Sequence, residues 1–417
     1  MGLGNVWRFP YMVGEFGGTA FVLLYLLMVF GIGVPALIAE WTLGRETRLG
    51  TVGAFHRAGL PGGRWVGWFF FLIVAASTAY YTNVVGWVVF HAVAEALRLV
   101  GGGVEGSAIL PPDSGFESGS FFLQIAFTGL VLTGVAVVLI RGVERGTERV
   151  SRVVMPLLFG ILLVLIVRAL TLPGAGAGLD WYLGRFDPGA VNGGVALAAL
   201  GQAVFSLSLG GTFMVVYGSY LPEGTALGRS AVLTAVGDAG AGLLAGLAIF
   251  PAVFALGLEP GAGPGLLFET LPATFAAMPA GALFGLLFFV GLAGAAFLSD
   301  VAAFEVLVAG VTDNTQWSRK RAVLTLLGVA FTLALIPMIN MEIFVPWDLT
   351  FGSGMQTLGA FAAAITVGWA LYRGSPKGRG TLSGPLLLWI RFGIPVAIAT
   401  VGVWWCLTDL LGVIGQP

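Results

Sequence analysis

The sequence predicts an all-α polytopic membrane protein, and two of its properties carry that prediction. Of the 417 residues, 57% are hydrophobic and 10% are charged, whereas soluble domains contain about 25% charged residues. Apolar runs close to or longer than the ~20 residues of a spanning helix recur along the whole chain. A water-soluble globule is excluded, because too few polar side chains are available to cover its surface.

Each long apolar run predicts one spanning helix. The runs lie at residues 18–39, 66–100, 119–140, 153–172, 193–221, 230–257, 280–311, 322–345, 350–372 and 385–412. Runs longer than about 25 residues indicate tilt rather than additional helices. The stretch from Leu3 to Val13 carries Arg8 and Pro10 and is too short to span alone. We expect it to be half of an eleventh helix.

The loop charges predict the orientation and the compartment. Cations concentrate in alternate loops, which the positive-inside rule places in the cytoplasm: Arg45, Arg48, Arg57, Arg64, Arg141, Arg145, Arg149, Arg152, Arg229, Arg319, Lys320, Arg321, Arg373, Lys377 and Arg379. The intervening loops carry acidic residues, among them Glu105 and Asp113. We expect a multi-pass protein of the cytoplasmic (inner) membrane without a cleavable signal peptide. With a net charge of −1 and scattered cations, nucleic acid is excluded as a partner.

Two segments are interrupted by glycine, GLGN from Gly2 and SLSLGGT from Ser206. We expect them to begin the two halves of a five-plus-five repeat within one transmembrane domain, residues 1–417. The first repeat is 1–172, the second 193–372, and helix 385–412 is appended. Most glycines only allow helices to pack closely. Paired interruptions flanked by polar side chains instead favour a binding site at the bilayer midplane.

Several motifs occur together in order: GLGNVWRFPY, GGTAFVLLYLLMVFGIGVPALIAEWTLGR, the pair Tyr80-Tyr81, GQAVFSLSLGGT and AGLAIFP. With them, nearly the whole chain resembles the neurotransmitter:sodium symporter family, in its bacterial amino-acid branch. The resemblance implies two inverted repeats, helices 1–5 and 6–10, around a central substrate. It implies sodium-coupled symport of a neutral amino acid by alternating access. No enzyme motif is present.

An amino-acid zwitterion at the midplane needs partners for both of its charges. The N–H groups of Leu3 and Gly4 begin a half-helix, whose positive end suits a carboxylate. Tyr81 resembles the family tyrosine that donates to the same carboxylate, although helix packing remains an alternative. For the ammonium group we expect the carbonyls of Phe205 and Ser206 and the Ser208 hydroxyl. Phe205 and Tyr81 would also cover the pocket.

Three positions resemble pocket walls of the family, namely Ser77, Gly211 and Ala303. The corresponding walls of leucine-selective relatives are bulkier. The sequence therefore predicts a bulky hydrophobic substrate, with aromatic amino acids ahead of long aliphatic ones.

By resemblance, the first sodium site consists of Asn5, Ser206 and Asp238, completed by the substrate carboxylate. A carboxylate in the apolar helix around Asp238 is costly unless it holds a cation; a protonated acid is the alternative. Chloride-dependent relatives usually carry Asn here and many carry Ser one turn later, where this chain has Gly242. The polar surroundings of the family's chloride site are partly matched, by Tyr25, Gln202 and Ser206. We expect chloride not to be required.

The second sodium site departs from the family pattern. Leu298 stands where an oxygen ligand is usual, which leaves the Ser299 hydroxyl and the Ala295 carbonyl. We expect this site to be weakened, lost, or relocated toward Asp300. Asp300 could equally form a hydrogen bond within the bundle or act as a protonatable group that couples transport to protons.

The resemblance also assigns two gates. Arg8 and Asp348 resemble the extracellular ion pair of the family. A static salt bridge between helices would involve the same two residues and is the alternative. Tyr220 and Asp313 resemble parts of the intracellular gate, whose usual arginine partner would lie upstream of Met1, with the inner half of the first helix. A misassigned start codon and a true truncation both explain this.

Two other functions stay open. A non-transporting amino-acid sensor or inactive truncated transporter would keep the pocket without the second ion site, and a proton could replace sodium at Asp238 or Asp300. Expected partners are the amino acid, sodium ions and the lipid bilayer. The sequence does not specify the amino acid, the stoichiometry or the oligomeric state.

Overall fold

A computed structural model describes residues 2–103, 106–141, 146–261, 263–277, 279–372, 382–405 and 407. Within these residues every regular element is a helix, which confirms the all-α prediction. Several predicted features lie outside the described residues: Met1, Glu105, Arg145, Arg373, Lys377, Arg379 and positions 408–412 of the last helix.

Helices follow one another along the described part of the chain. They are α1 (Gly4–Arg8 continuing through Phe9–Phe16), α2 (Gly18–Thr47), α3 (Thr51–Arg57), α4 (Gly63–Leu99), α5 (Ser118–Arg141), α6 (Gly146–Leu170), α7 (Ala175–Leu179), α8 (Gly193–Ser206), α9 (Phe213–Tyr220), α10 (Leu227–Ala255), α11 (Leu266–Ala276), α12 (Gly281–Thr312), α13 (Arg319–Ala334), α14 (Met341–Leu371) and α15 (Gly384–Trp404). Seven of these helices are long and apolar enough to cross a bilayer. The chain is a multi-pass membrane protein.

The predicted glycine break in the sixth spanning segment is present. Helix α8 ends at Ser206 and α9 begins at Phe213. Between them Gly210 and Gly211 have φ angles of +132° and +75°, which residues with a Cβ rarely adopt. Their N–H groups both donate to Oε1 of the buried Glu40 at 2.9 Å. A side chain on α2 thus satisfies the backbone groups that the break would otherwise leave unpaired.

Helix α9 lies directly on α2. A Cβ added at Gly44 would be 1.9 Å from the Val215 carbonyl oxygen, and one at Gly218 would be 2.6 Å from the Trp41 carbonyl oxygen. The backbones therefore meet at a distance that only glycine permits, as expected for packing between membrane helices.

One predicted helix boundary is wrong. The sequence predicts helices at 322–345 and 350–372, but α13 ends at Ala334 and α14 begins at Met341. Pro337 lies between them, where a helix would lose a backbone hydrogen bond. Asn340 then caps α14 by accepting from Ile343 N–H at 3.0 Å. Residues 341–345 consequently belong to the later helix.

Candidate functional site

A cavity of about 150 Å³ lies where the start of α1 meets the break between α8 and α9. Most predicted site residues line it: Gly4, Asn5, Ser77, Tyr81, Phe205, Ser206, Ser208, Asp238, Ser299 and Ala303. Gly2, Thr78, Phe213 and Gln356 line it as well and were not predicted. Asp238 is the one ionisable carboxylate among the lining residues. The two interrupted segments therefore meet around one pocket.

The start of α1 carries the predicted donors. Gly4 is the first helical residue and Leu3 precedes it, fully buried. The Tyr81 hydroxyl and Ser299 lie beside this segment, because a Cβ added at Gly2 would be 3.7 Å from the Tyr81 hydroxyl oxygen and 2.8 Å from Ser299 Oγ. This arrangement brings a helix N-terminus and a phenol together at one end of the cavity, as the carboxylate site requires.

The end of α8 supplies oxygen atoms on the other side of the cavity. The Phe205 carbonyl accepts from Ser208 N–H at 3.0 Å, so one of its two lone pairs is already in use. Ser208 has φ +54°, and its side chain lines the cavity. Ser206, Ser208 and the second lone pair of Phe205 are the acceptors that this side can offer.

Asn5, Ser206 and Asp238 form one hydrogen-bonded cluster. Asn5 Nδ2 donates to Asp238 Oδ1 at 2.8 Å, to the Asp238 carbonyl at 2.9 Å and to Ser206 Oγ at 3.1 Å. The Ser206 hydroxyl donates to Asp238 Oδ2. Asn5 Oδ1 faces the other way and accepts from Gly2 N–H at 3.0 Å. Three helices, α1, α8 and α10, thus bring the predicted first sodium ligands into mutual contact.

The residues predicted to resemble the surroundings of a chloride site have the following contacts. Tyr25 donates to Ser206 Oγ at 3.4 Å, but Gln202 points elsewhere, toward Arg8 and the Gly4 carbonyl. One turn after Asp238, a Cβ added at Gly242 would be 3.2 Å from the Phe9 ring. A larger polar residue at that position would need the Phe9 ring to shift.

The residues of the second predicted ion site have other partners. Ser299 Oγ donates to the Ala295 carbonyl at 3.1 Å, within its own helix. Leu298 is buried and offers no side-chain oxygen. Asp300 is fully buried against α4, 3.0 and 3.2 Å from Thr82 Oγ1, and it does not line the cavity.

The predicted extracellular gate is a closed, buried network. Arg8 Nε lies 3.1 and 3.2 Å from the two Asp348 oxygens. Its Nη atoms donate to Gln202 Oε1 at 2.7 Å and to Ser353 Oγ at 2.5 Å. The guanidinium carbon is 4.7 Å from the centre of the Phe205 ring. Both members of the ion pair are at most 1% exposed.

Two tyrosines also contact Asp348, and neither was predicted to belong to this network. Tyr80 donates to Asp348 Oδ1 at 2.6 Å, and Tyr11 donates to Oδ2 of the same carboxylate. Together with Arg8 they satisfy the buried Asp348 charge. Both tyrosines lie in sequence motifs quoted above. A phenol hydroxyl within an apolar run was the sequence feature that could have predicted a buried polar contact at these positions.

The predicted intracellular gate residues lie at helix ends. Tyr220 ends α9 and is 70% exposed. Asp313 follows α12 and, with His56 and Arg57, lines a second cavity of about 470 Å³. Partial burial raises the pKa of Asp313 above its usual value. Nearby on the chain, hydrogen bonding to Glu305 raises the pKa of Arg319.

Gly211 does not line the cavity, which corrects the prediction that it is a pocket wall. Its N–H donates to Glu40, and a Cβ there would be 3.0 Å from Phe55 Cζ and 3.3 Å from the Gly359 carbonyl oxygen. Glu40 turns this residue away from the cavity, and Phe213, two positions later, lines it instead.

Comparison with known proteins gives one consistent result. Residues 1–98 and 114–370 match the family described as the sodium:neurotransmitter symporter family. The chain is 36% identical to the uncharacterized sodium-dependent transporter YhdH of Bacillus subtilis over 77% of this chain and 71% of that protein. An uncharacterized sodium-dependent transporter of Haemophilus influenzae is 31% identical over 96% of this chain and 93% of its own length.

A solved structure extends the similarity to three dimensions. The crystal structure of MhsT in complex with L-phenylalanine matches with a TM-score of 0.83 and 33% sequence identity. The match covers 97% of this chain and 95% of that chain.

Proposed function

The chain belongs to the sodium:neurotransmitter symporter family, and on that premise we propose that it imports a neutral amino acid together with sodium across the cytoplasmic membrane. The observation that carries the proposal is the Asn5–Ser206–Asp238 cluster in the wall of the central cavity. Ion and substrate would then occupy adjoining parts of one pocket, so that each affects the binding of the other.

Asp238 is the centre of the proposed sodium site. A carboxylate in a membrane helix is costly without a cation, and no arginine or lysine is among the residues that line this cavity. Carboxylate, hydroxyl and amide oxygens are hard ligands that suit a hard cation. A half-turn of the Asn5 side-chain amide would exchange its Nδ2 for Oδ1, giving Asn5, Ser206 and Asp238 one oxygen each toward the ion.

The substrate zwitterion would lie beside that ion. Its carboxylate would accept from the Leu3 and Gly4 N–H groups and from Tyr81, and it would complete the sodium coordination. Its ammonium group would donate to the oxygens at Ser206 and Ser208. Binding of sodium thus places a positive charge beside the substrate carboxylate, which makes sodium a condition for tight substrate binding.

We further propose that the substrate carries a bulky hydrophobic side chain, aromatic first. The cavity of about 150 Å³ equals the ~150 Å³ engineered cavity that holds benzene in another protein. Ser77 and Ala303 keep two of its walls small. The similarity to MhsT in complex with L-phenylalanine supports the same class.

Transport would proceed by alternating access. The Arg8–Asp348 network holds the extracellular side closed, and release to the cytoplasm would involve the end of the bundle that carries Tyr220 and Asp313. Chloride would not be required, since Asp238 supplies the fixed negative charge. The second sodium site, with Leu298 in place of an oxygen ligand, would contribute weakly.

The proposal is tested by uptake of radiolabelled L-phenylalanine into proteoliposomes, with external sodium replaced by choline at constant pH. We expect uptake in sodium and little in choline. Equal uptake in both, driven instead by a proton gradient, would favour proton coupling. Sodium-dependent binding without any uptake would favour a sensor.

A further inference from the structure

The appended helix α15 carries a single charged residue. Between Gly384 and Trp404 the only other polar side chain besides that of Arg391 is Thr400, which is uncharged. An arginine inside a membrane span is costly, so it pairs with an anion or extends its charged head toward the membrane surface.

Among the described residues, no carboxylate forms an ion pair with Arg391. Its Nε is buried and has no hydrogen-bond partner within the same part of the chain. The guanidinium carbon lies 4.3 Å from the centre of a Trp369 ring and 5.7 Å from that of Phe392. Two aromatic rings therefore hold the cation without neutralising it.

The depth of Arg391 matches the inner membrane interface. It follows Gly384 by two helical turns, roughly 10 Å, and the positive-inside pattern places that end of α15 in the cytoplasm. Trp369 Nε1 donates to the Arg391 carbonyl at 3.1 Å, and Trp369 lies two residues before α14 ends at Leu371. Tryptophan is enriched at membrane interfaces, so the Trp369–Arg391 contact lies near the headgroup level.

The surface around Arg391 faces the lipid. Leu388 is 59% exposed, and Trp389 and Phe392 are each 47% exposed. A ligand at the guanidinium therefore combines an anionic group with hydrocarbon that covers these side chains. A planar guanidinium presents paired donors that match two oxygens of a phosphate.

We propose that Arg391 is a binding site for the phosphate of an anionic phospholipid in the inner leaflet. The stack on Trp369 fixes the guanidinium, and the acyl chains cover the apolar side chains beside it. Because Trp369 belongs to α14 and Arg391 to α15, a bound lipid would hold these two helices together. This site is independent of the transport function proposed above.

The test measures lipid binding to the purified full chain by native mass spectrometry. Phosphatidylglycerol and phosphatidylcholine are titrated separately, and inorganic phosphate is added as a competitor. Variants are Arg391→Gln, Arg391→Lys and, as a matched control, Arg64→Gln, which removes the same charge from an exposed position without an aromatic contact. Thermal unfolding checks that each variant is folded.

We expect Arg391→Gln to weaken the first phosphatidylglycerol adduct about fivefold, the effect of one interfacial cation, and Arg64→Gln to leave it nearly unchanged. Arg391→Lys should bind less tightly than the parent, because a point charge replaces the planar donors. Phosphatidylcholine binding should not depend on Arg391, and inorganic phosphate should not compete.

Three results would overturn the proposal. Equal losses of phosphatidylglycerol affinity in Arg391→Gln and Arg64→Gln would mean that the lipid is attracted by the general surface charge and not by a site at Arg391. Competition by inorganic phosphate would mean a site for a free ion. Should Arg391→Gln not fold, Arg391→Lys decides, and an affinity equal to that of the parent would exclude a stacked guanidinium site.

Discussion

The side-chain amide of Asn5 donates to both the carboxylate and the carbonyl of Asp238, at 2.8 and 2.9 Å. This contact joins the start of α1 to the middle of α10. Since α1 also carries the Leu3 and Gly4 N–H groups, one short segment touches both the proposed ion site and the proposed substrate site. Physical coupling between ion and substrate therefore needs no long-range pathway.

The first prediction concerns Asp238→Ala. The change removes one ion ligand together with its charge, so sodium-stimulated amino-acid binding should fall by roughly 1.5–3 kcal/mol, the usual contribution of a bond to a charged group. Scintillation proximity binding over a sodium titration measures this. Asp187→Ala, at an exposed 3-10 turn, is the control. A normal sodium response in Asp238→Ala would remove Asp238 from the ion site.

The second prediction is that chloride is dispensable. Asp238 already places a negative charge beside Ser206, so no mobile anion is needed to balance the cation. Replacing chloride with gluconate in the uptake assay should leave the initial rate unchanged within experimental error. A large fall in rate would show that Asp238 does not serve this role.

The third prediction concerns Leu298→Thr, which restores an oxygen at the altered second site. Apparent sodium affinity should rise, or the sodium dependence of uptake should steepen. The control is Leu287→Thr, on the same helix but 40% exposed. If both variants behave like the parent, the second ion is bound elsewhere or not at all.

The fourth prediction concerns pocket size. Ala303 lines the cavity, and Ala303→Phe should fill it and shift preference from phenylalanine toward alanine and glycine. Competition binding with Trp, Tyr, Leu, Ala and Gly measures the order of preference. A parent protein that prefers glycine or alanine would contradict the expected substrate class.

Gly211→Phe is the informative comparison for that variant. Sequence resemblance predicts that it too would fill the pocket. Gly211 instead has φ +75° and faces Phe55. The substitution should therefore disrupt the helix break that Glu40 stabilises and lower the stability of the protein. It should not shift the substrate preference toward alanine and glycine as Ala303→Phe does. The structure thus separates two positions that the sequence treats alike.

The sequence predicted those parts of the site whose charges or broken helices carry a free-energy cost in a membrane. Asp238 and Arg8 stand out because charges in apolar runs require partners, and the glycine clusters stand out because they break helices. These features predicted both interruptions, whereas the grouping of Asn5, Ser206 and Asp238 followed from the family resemblance.

Features set by distant contacts could not be predicted in the same way. The direction of Gly211 depends on Glu40, which lies on another helix. The buried position of Asp300 depends on Thr82 across the α4–α12 contact. The start of α14 was missed for a different reason, since it depends on a local Asn340 cap that apolar periodicity does not reveal. The division into repeats at 1–172 and 193–372 stays a prediction.

The most direct test of sodium–amino-acid coupling is the uptake of radiolabelled sodium into proteoliposomes with and without an external hydrophobic amino acid. We predict that L-phenylalanine accelerates sodium entry in the parent protein and not in Asp238→Ala. Sodium entry that is indifferent to the amino acid, in a preparation that still binds or takes up phenylalanine, would contradict coupled transport.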